Sequence, residues 1–239
     1  MLHEEMWDVD EGSDAELYQL WVNLPPSDKM VPPRVQLLVP EGDTGRAAEV
    51  QREGSTPVRR ATITNRQSDG VRVRTLASTV DNYSNSDGDA AGALTYSPIT
   101  IEHVELSAGG ASYSLPLPEG WTCIVYVRRG AVAFGGSKGG GDTGDKPSVA
   151  KMYETAYLSR RGGDGLMIKN AGSRPADVLV LAGEPIGAPV VASGTMVMNT
   201  QGDVNEALRD YQNGQFGIPW EHTVGDDEWV QACEARYQL

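Results

Sequence analysis

The stretch Leu179–Thr200, LVLAGEPIGAPVVASGTMVMNT, decides how the rest of the chain reads. Together with Val178 it opens on an apolar run to Ala182 that is too short for a helix of its own, so a buried strand is expected. Gly183-Glu184-Pro185 ends that strand, because proline has no N–H to give to a ladder. Pro189 and Val190-Val191 read as a short extended piece. Thr200-Gln201-Gly202-Asp203 then has the form of a capping box. Behind it, Val204, Leu208 and Tyr211 recur at i, i+4 and i+7 with Ala207 beside them, and Gly214 supplies a stop, which predicts a helix over 201–213. Strand, corner, extended piece and capped helix are the end of an all-β domain.

Upstream, the same alternation recurs. In VRVRTL, Val71 and Val73 share one face and Arg72 and Arg74 the other, as a strand with one wet side requires. Ile99–Leu106, Thr122–Val127, Ala131–Phe134, Tyr153–Leu158 and Leu166–Lys169 add further strands, with a corner at Pro116–Gly120 and a hairpin turned at Arg128-Arg129-Gly130. The Gly-rich 135–147 lacks the GK[ST] ending of a phosphate loop and reads as a plain hairpin loop. Six or more strands at this spacing imply one closed or sandwiched β domain. Further back, LYQLWVNL (17–24) sets Tyr18, Leu20, Val22 and Leu24 on one apolar face, so a half-buried strand is expected there as well. A short helix is expected at 226–236.

Composition narrows the function classes. Residues 1–16 hold seven acids and no Lys or Arg, and 221–239 hold five acids against Arg236 alone, so most of the −13 net charge sits at the two ends. Direct nucleic-acid binding is not expected, since phosphate contact needs a concentrated basic surface. Arg59, Arg60, Arg66, Arg72 and Arg74 cluster locally, either as a solvated sheet face or as a patch for an acidic partner. No run approaches a membrane span, and the start has no signal-peptide character. Cys123 and Cys233 are too few for a disulfide framework, which favours an intracellular protein. No G-x-S-x-G elbow, CxxC, HExxH or dinucleotide fingerprint is present, and Glu119 and Glu184 read as turn residues.

GEPIGAPVV, MVMNT and DYQNGQFG, with LYQLWVNLPPSDKM, SPITIEHVEL and LPLPEGWTCIVYVRRG upstream in the same order, resemble the pirin family, two-barrel proteins of the cupin superfamily. The resemblance runs from His3 to about Gly217 and implies an all-β, cupin-type β-barrel fold. It divides the chain into 1–30, a remnant of an amino-terminal barrel; 31–59, a linker; 60–200, a complete carboxyl-terminal barrel; and 201–239, a closing helix and acidic tail. Residues 78–92 depart from the family's usual short strand and turn.

The resemblance also implies a metal site. Pirins carry a G-I-x-H-x-E-M phrase whose His and Glu ligate a single iron(II) or other divalent metal, and His3, Glu5 and Met6 match it. His-x-Glu on a strand sets both side chains on one face, where they can reach one ion. The family's other two ligands form an H-x-H pair. The three histidines here, His3, His103 and His222, include no such pair. His103 is expected to be a packed or solvated strand residue and His222 a solvent-exposed one. Two ligands do not make a closed cage, so metal is expected to bind weakly or not at all.

In complete form such a protein is expected to show quercetin 2,3-dioxygenase-type activity, with this chain inactive alone. The alternatives are a non-catalytic interaction module resembling a transcription cofactor, or a truncated gene product. Without a full barrel beside it, the 17–24 strand is expected to lie exposed and to favour self-association or capture of a protein partner.

Overall fold

The computed structural model describes residues 16–40, 58–79, 92–135 and 147–217. His3, Glu5, Met6, His222 and the 226–236 segment lie outside the described residues. Two compact units are distinguished, one of residues 30–187 and one of 1–29 with 188–239.

In the first unit, alternating apolar residues build two sheets over one core. Seven strands run in the order β1-β2-β3-β4-β11-β6-β9: β1 Val35–Pro40, β2 Val58–Ser68, β3 Val71–Ser78, β4 Ile99–Leu106, β6 Thr122–Arg129, β9 Thr155–Tyr157 and β11 Ala176–Gly183. The second sheet is β5-β10-β7-β8, with β5 Ser112–Pro116, β7 Ala131–Phe134, β8 Ser148–Lys151 and β10 Gly165–Asn170. Val71, Val73, Val104, Leu106, Val125, Val127, Val178 and Val180 from the large sheet meet Leu115, Val132, Leu166 and Ile168 from the small one. Each fully buried valine or leucine contributes roughly 1.5–3 kcal/mol of hydrophobic stabilisation. The result is a cupin-like β-sandwich, as the all-β reading expects.

Register fixes which residues face inward. Thr75, Glu102 and Val180 are directly opposed across β3, β4 and β11, and Val180 opposes Val125 of β6. The next inward row is Val73, Val104, Val178 and Val127. A one-residue slip would turn every one of these side chains outward, so the row is strongly specified.

Several expectations are corrected. The 31–59 linker contains β1, which pairs with β2 in parallel, Val35 with Val58 through Pro40 with Ile63. β6 and β7 do not form a hairpin: the Arg128-Arg129-Gly130 turn passes the chain from one sheet to the other. Gly130 has φ 77, and a Cβ there would meet the Pro175 carbonyl at 2.8 Å, so only glycine fits this crossing. The Tyr153–Leu158 strand is shorter, Thr155–Tyr157, and β5 and β8 are additional. β7 and β8 do pair as a hairpin around the Gly-rich loop.

In the second unit, β12 (Val191–Ser193) and β13 (Met196–Met198) form a small hairpin against which α1, Gln201–Gln212, lies. The capping box is formed: Asp203 N–H donates to Thr200 Oγ1 at 3.2 Å and Thr200 N–H to Asp203 Oδ2 at 3.0 Å. Val204 is fully buried. Residues 17–24 belong to no strand. Their alternation supplies an apolar face, but no ladder among the described residues takes up their backbone. Leu17, Leu20, Trp21 and Val22 are exposed. Lys29 pins the end of the segment, donating to Asn23 Oδ1 and, at 2.9 Å, to the Val197 carbonyl. Burial holds its ammonium below the usual lysine range.

Candidate functional site

Chemistry-bearing side chains of the sandwich gather on the two faces of β4. Because successive strand residues point to opposite faces, Glu102 enters the core while His103 leaves it.

On the outer face, His103 Nε2 lies 2.7 Å from Asp177 Oδ1, and Arg128 Nη1 donates to Asp177 Oδ2 at 2.9 Å. A carboxylate only accepts, so the short contact places the proton on Nε2. Arg128 Nη1 is also 3.0 Å from that nitrogen, which makes Asp177 the shared acceptor of both neighbours. Burial alone would raise the Asp177 carboxyl. The hydrogen bond and charge of His103 and the Arg128 guanidinium outweigh it and hold the group below the usual carboxylate range. One step along the sheet, Glu105 accepts from Arg72 at 3.1 Å and Arg74 at 2.9 Å. Glu105 and Asp177 are directly opposed across β4 and β11, a like-charge pairing that these guanidinium groups neutralise.

His103, Glu105 and Asp177 present ligand atoms within 4.8 Å of one another, the one such grouping among the described residues. The donor set is chemically suitable for a divalent ion. Its cation places are filled by protein, however. Arg128 sits at hydrogen-bond distance from two of the three donors, and Arg72 and Arg74 hold the third. A metal would have to displace these three guanidinium groups, so the arrangement does not fit a resident ion and reads as an ion-pair lock across β3, β4, β6 and β11.

On the inner face, Glu102 is fully buried. Tyr113 OH donates to its Oε2, and Arg66 Nη2 at 3.1 Å and Thr75 Oγ1 at 3.3 Å donate to Oε1. Burial raises this carboxyl above its ordinary value, and the three donors only partly offset it. Thr64 faces the same side, opposite Thr75, and its buried Oγ1 has no hydrogen-bond partner among the described residues. Ser78 and Thr100 share a hydrogen bond of 3.2 Å nearby. The β2–β3–β4 end of the core is therefore polar, and the β6–β11 end is aliphatic. Cys123 lies at the aliphatic end, and burial pushes its thiol up to about 11, which makes it a packing residue rather than a nucleophile.

His103 is a packed strand residue, as expected, but it is packed by charge. Glu119 lies on an exposed turn, as expected, and Glu184 is exposed in the irregular stretch that follows β11. Sequence reasoning missed Glu102, Tyr113, Asp177 and Arg128. The one signal for Glu102 is its shared parity with Val104 and Leu106.

A family model described as the pirin C-terminal cupin domain matches residues 102–217. A Pseudomonas aeruginosa protein provisionally named a quercetin 2,3-dioxygenase is 32% identical over 219 residues, covering 90% of this chain and 63% of that one. Pirin of Rattus norvegicus is 30% identical over 234 residues, 95% of this chain and 66% of its own length. A crystal structure of quercetin 2,3-dioxygenase from Acinetobacter baumannii superposes with a TM-score of 0.51 at 28% identity, over 66% of this chain and 49% of that one. The chain thus spans 63% and 66% of the length of these two curated relatives. An inward-facing valine lattice, a two-sheet sandwich and these likenesses agree: the chain belongs to the pirin family of cupin proteins.

Proposed function

We propose that this chain acts as the carboxyl-terminal cupin half of a pirin-type protein and carries no catalysis by itself. The observation behind this reading is the orientation of His103. It is the one histidine among the described residues, and it points out of the sandwich into the Asp177–Arg128 lock. The inward positions that could surround an ion are held by valines and by a single carboxyl already bonded to Arg66, Tyr113 and Thr75. Quercetin 2,3-dioxygenase-type chemistry, named for the relatives, belongs in this reading to a fuller protein that completes the ligand set begun by His3 and Glu5. Iron(II) or another divalent metal, when bound there, supplies the Lewis acid. The test is flavonol consumption. With iron(II), nickel or manganese added, the chain is expected to leave quercetin unchanged beyond the rate of metal alone. Steady turnover that vanishes on His3→Ala would overturn the reading.

A second reading, an interaction module, is favoured by the exposure of Leu17 (54%), Trp21 (64%) and Val22 (48%) in a run free of charged residues. An uncharged extended segment offers no barrier to pairing with a second copy of itself. Sedimentation is expected to show an oligomer that Val22→Lys shifts toward monomer. A wild-type chain that stays monomeric at high concentration would end this reading.

A further inference from the structure

Arg66 and Tyr113 connect the buried Glu102 to the surface. A cleft of about 620 Å³ lies between the β2–β3 turn and the β4–β5 turn, lined by Arg66, Asp69, Val73, Ser112, Tyr113 and Ser114 among others. That volume suits a small molecule. Two of its lining side chains, Arg66 and Tyr113, are also donors to the fully buried Glu102. We propose that this cleft binds a small monocarboxylate, which takes the Arg66 guanidinium from Glu102 and leaves Glu102 to accept a proton.

Three observations carry this. First, Arg66 spans both environments: its side chain is 41% exposed at the cleft while it bonds a carboxylate that is 0% exposed. A guanidinium can hold a ligand carboxylate through paired parallel N–H bonds, whereas the 3.1 Å bond from Arg66 Nη2 to Glu102 Oε1 is made through one nitrogen. Second, the interior behind Arg66 is polar beyond what the described residues satisfy. Thr64 lies two residues along β2 on the same face, and its buried hydroxyl has no partner among the described residues. Buried polar atoms left so are uncommon and call for an ordered water or another molecule nearby. Third, the charges are arranged for exchange. Glu102 meets Arg66 from β2, Thr75 from β3 and Tyr113 from β5, and its neighbour across β11 is the uncharged Val180. Burial already favours its protonated form, and withdrawing Arg66 removes one of the interactions that oppose burial. Proton and ligand therefore enter together: the ligand's negative charge replaces that of Glu102 beside Arg66, and the net charge of the core stays the same. Asp69 on the rim repels further negative charge, which selects a monoanion over a phosphate dianion or a dicarboxylate.

Calorimetry on the full chain with acetate, lactate and benzoate, and phosphate for comparison, tests the idea. Run in two buffers of different ionisation enthalpy over pH about 5 to 8, it reads proton uptake directly. At least one monocarboxylate is expected to bind more tightly than phosphate, with uptake approaching one proton at some pH in that range. Arg66→Gln is expected to weaken binding about tenfold or more, the loss of a charged hydrogen-bonded partner. Glu102→Gln is expected to keep binding and lose the proton uptake. Should either variant fail to fold, Ser112→Phe, on the rim and outside the Glu102 network, is expected to block the cleft and abolish binding. Absence of binding by all three monocarboxylates, binding that survives both Arg66→Gln and Ser112→Phe, or binding without proton uptake at every pH would overturn the proposal.

Discussion

Glu102 and His103 are neighbours in sequence and opposites in environment. On the inner face, a carboxylate is fully buried at the polar end of the core, and its donors do not fully compensate the lost water, so its ionisation is pushed up. On the outer face, Asp177 is also largely buried, yet a histidine and an arginine converge on it and its ionisation is pulled down. The same fold thus holds one carboxyl that burial destabilises when charged and another that its partners stabilise when charged. Burial alone does not decide the sign; the number and charge of the donors do.

The largest expected effect of breaking this contrast falls on the outer face. Asp177→Ala leaves His103 and the Arg128 guanidinium without the acceptor they share, and should cost about 3 kcal/mol, the scale for a buried pair robbed of one partner. Urea unfolding at neutral pH measures it; a loss well below 1 kcal/mol would mean that water already screens the pair. The inner face should respond far less. Glu102→Gln mimics the protonated acid that burial favours, so at neutral pH its cost should stay within about 1 kcal/mol despite the lost ion pair with Arg66.

The two groups also give opposite pH signatures. The folded ionisation of Asp177 lies below its unfolded value near 3.8, so its contribution is present above that value and is lost as pH falls through the folded one. The folded ionisation of Glu102 lies above its unfolded value near 4.5, so its contribution is present below that value and is lost as pH rises through the folded one. Against wild type, Asp177→Asn should flatten the acid limb of stability and Glu102→Gln the limb above it. Identical pH profiles for both variants would dissolve the contrast.

Much of this architecture was legible in the chain. Val71 and Val73 against Arg72 and Arg74 announce a one-sided strand, and Thr200 with Asp203 announces the helix start, because both signals are local. Other features were not. In ITIEHVEL, Ile99 and Ile101 share parity with His103 and Glu105, while Thr100 and Glu102 share it with Val104 and Leu106. Each face mixes polar and apolar residues, so alternation cannot choose between them, and only the register with β3 and β11 does. Asp177 reaches His103 across 74 residues of sequence, and no spacing rule spans that distance. The parallel β1–β2 pair and the passage from β6 to β7 between sheets likewise depend on long-range partners. For Leu17–Leu24 the alternation was real, but a strand needs a ladder partner as well as a face.

The central claim is that neither face of β4 offers a place for a resident metal, the inner carboxyl being taken by Arg66, Tyr113 and Thr75 and the outer donors being held by guanidinium groups. Its most direct test is the iron content of the purified full chain after anaerobic loading with iron(II) and dialysis against a chelator. The account predicts iron far below one per chain. One iron per chain that survives the chelator would contradict it.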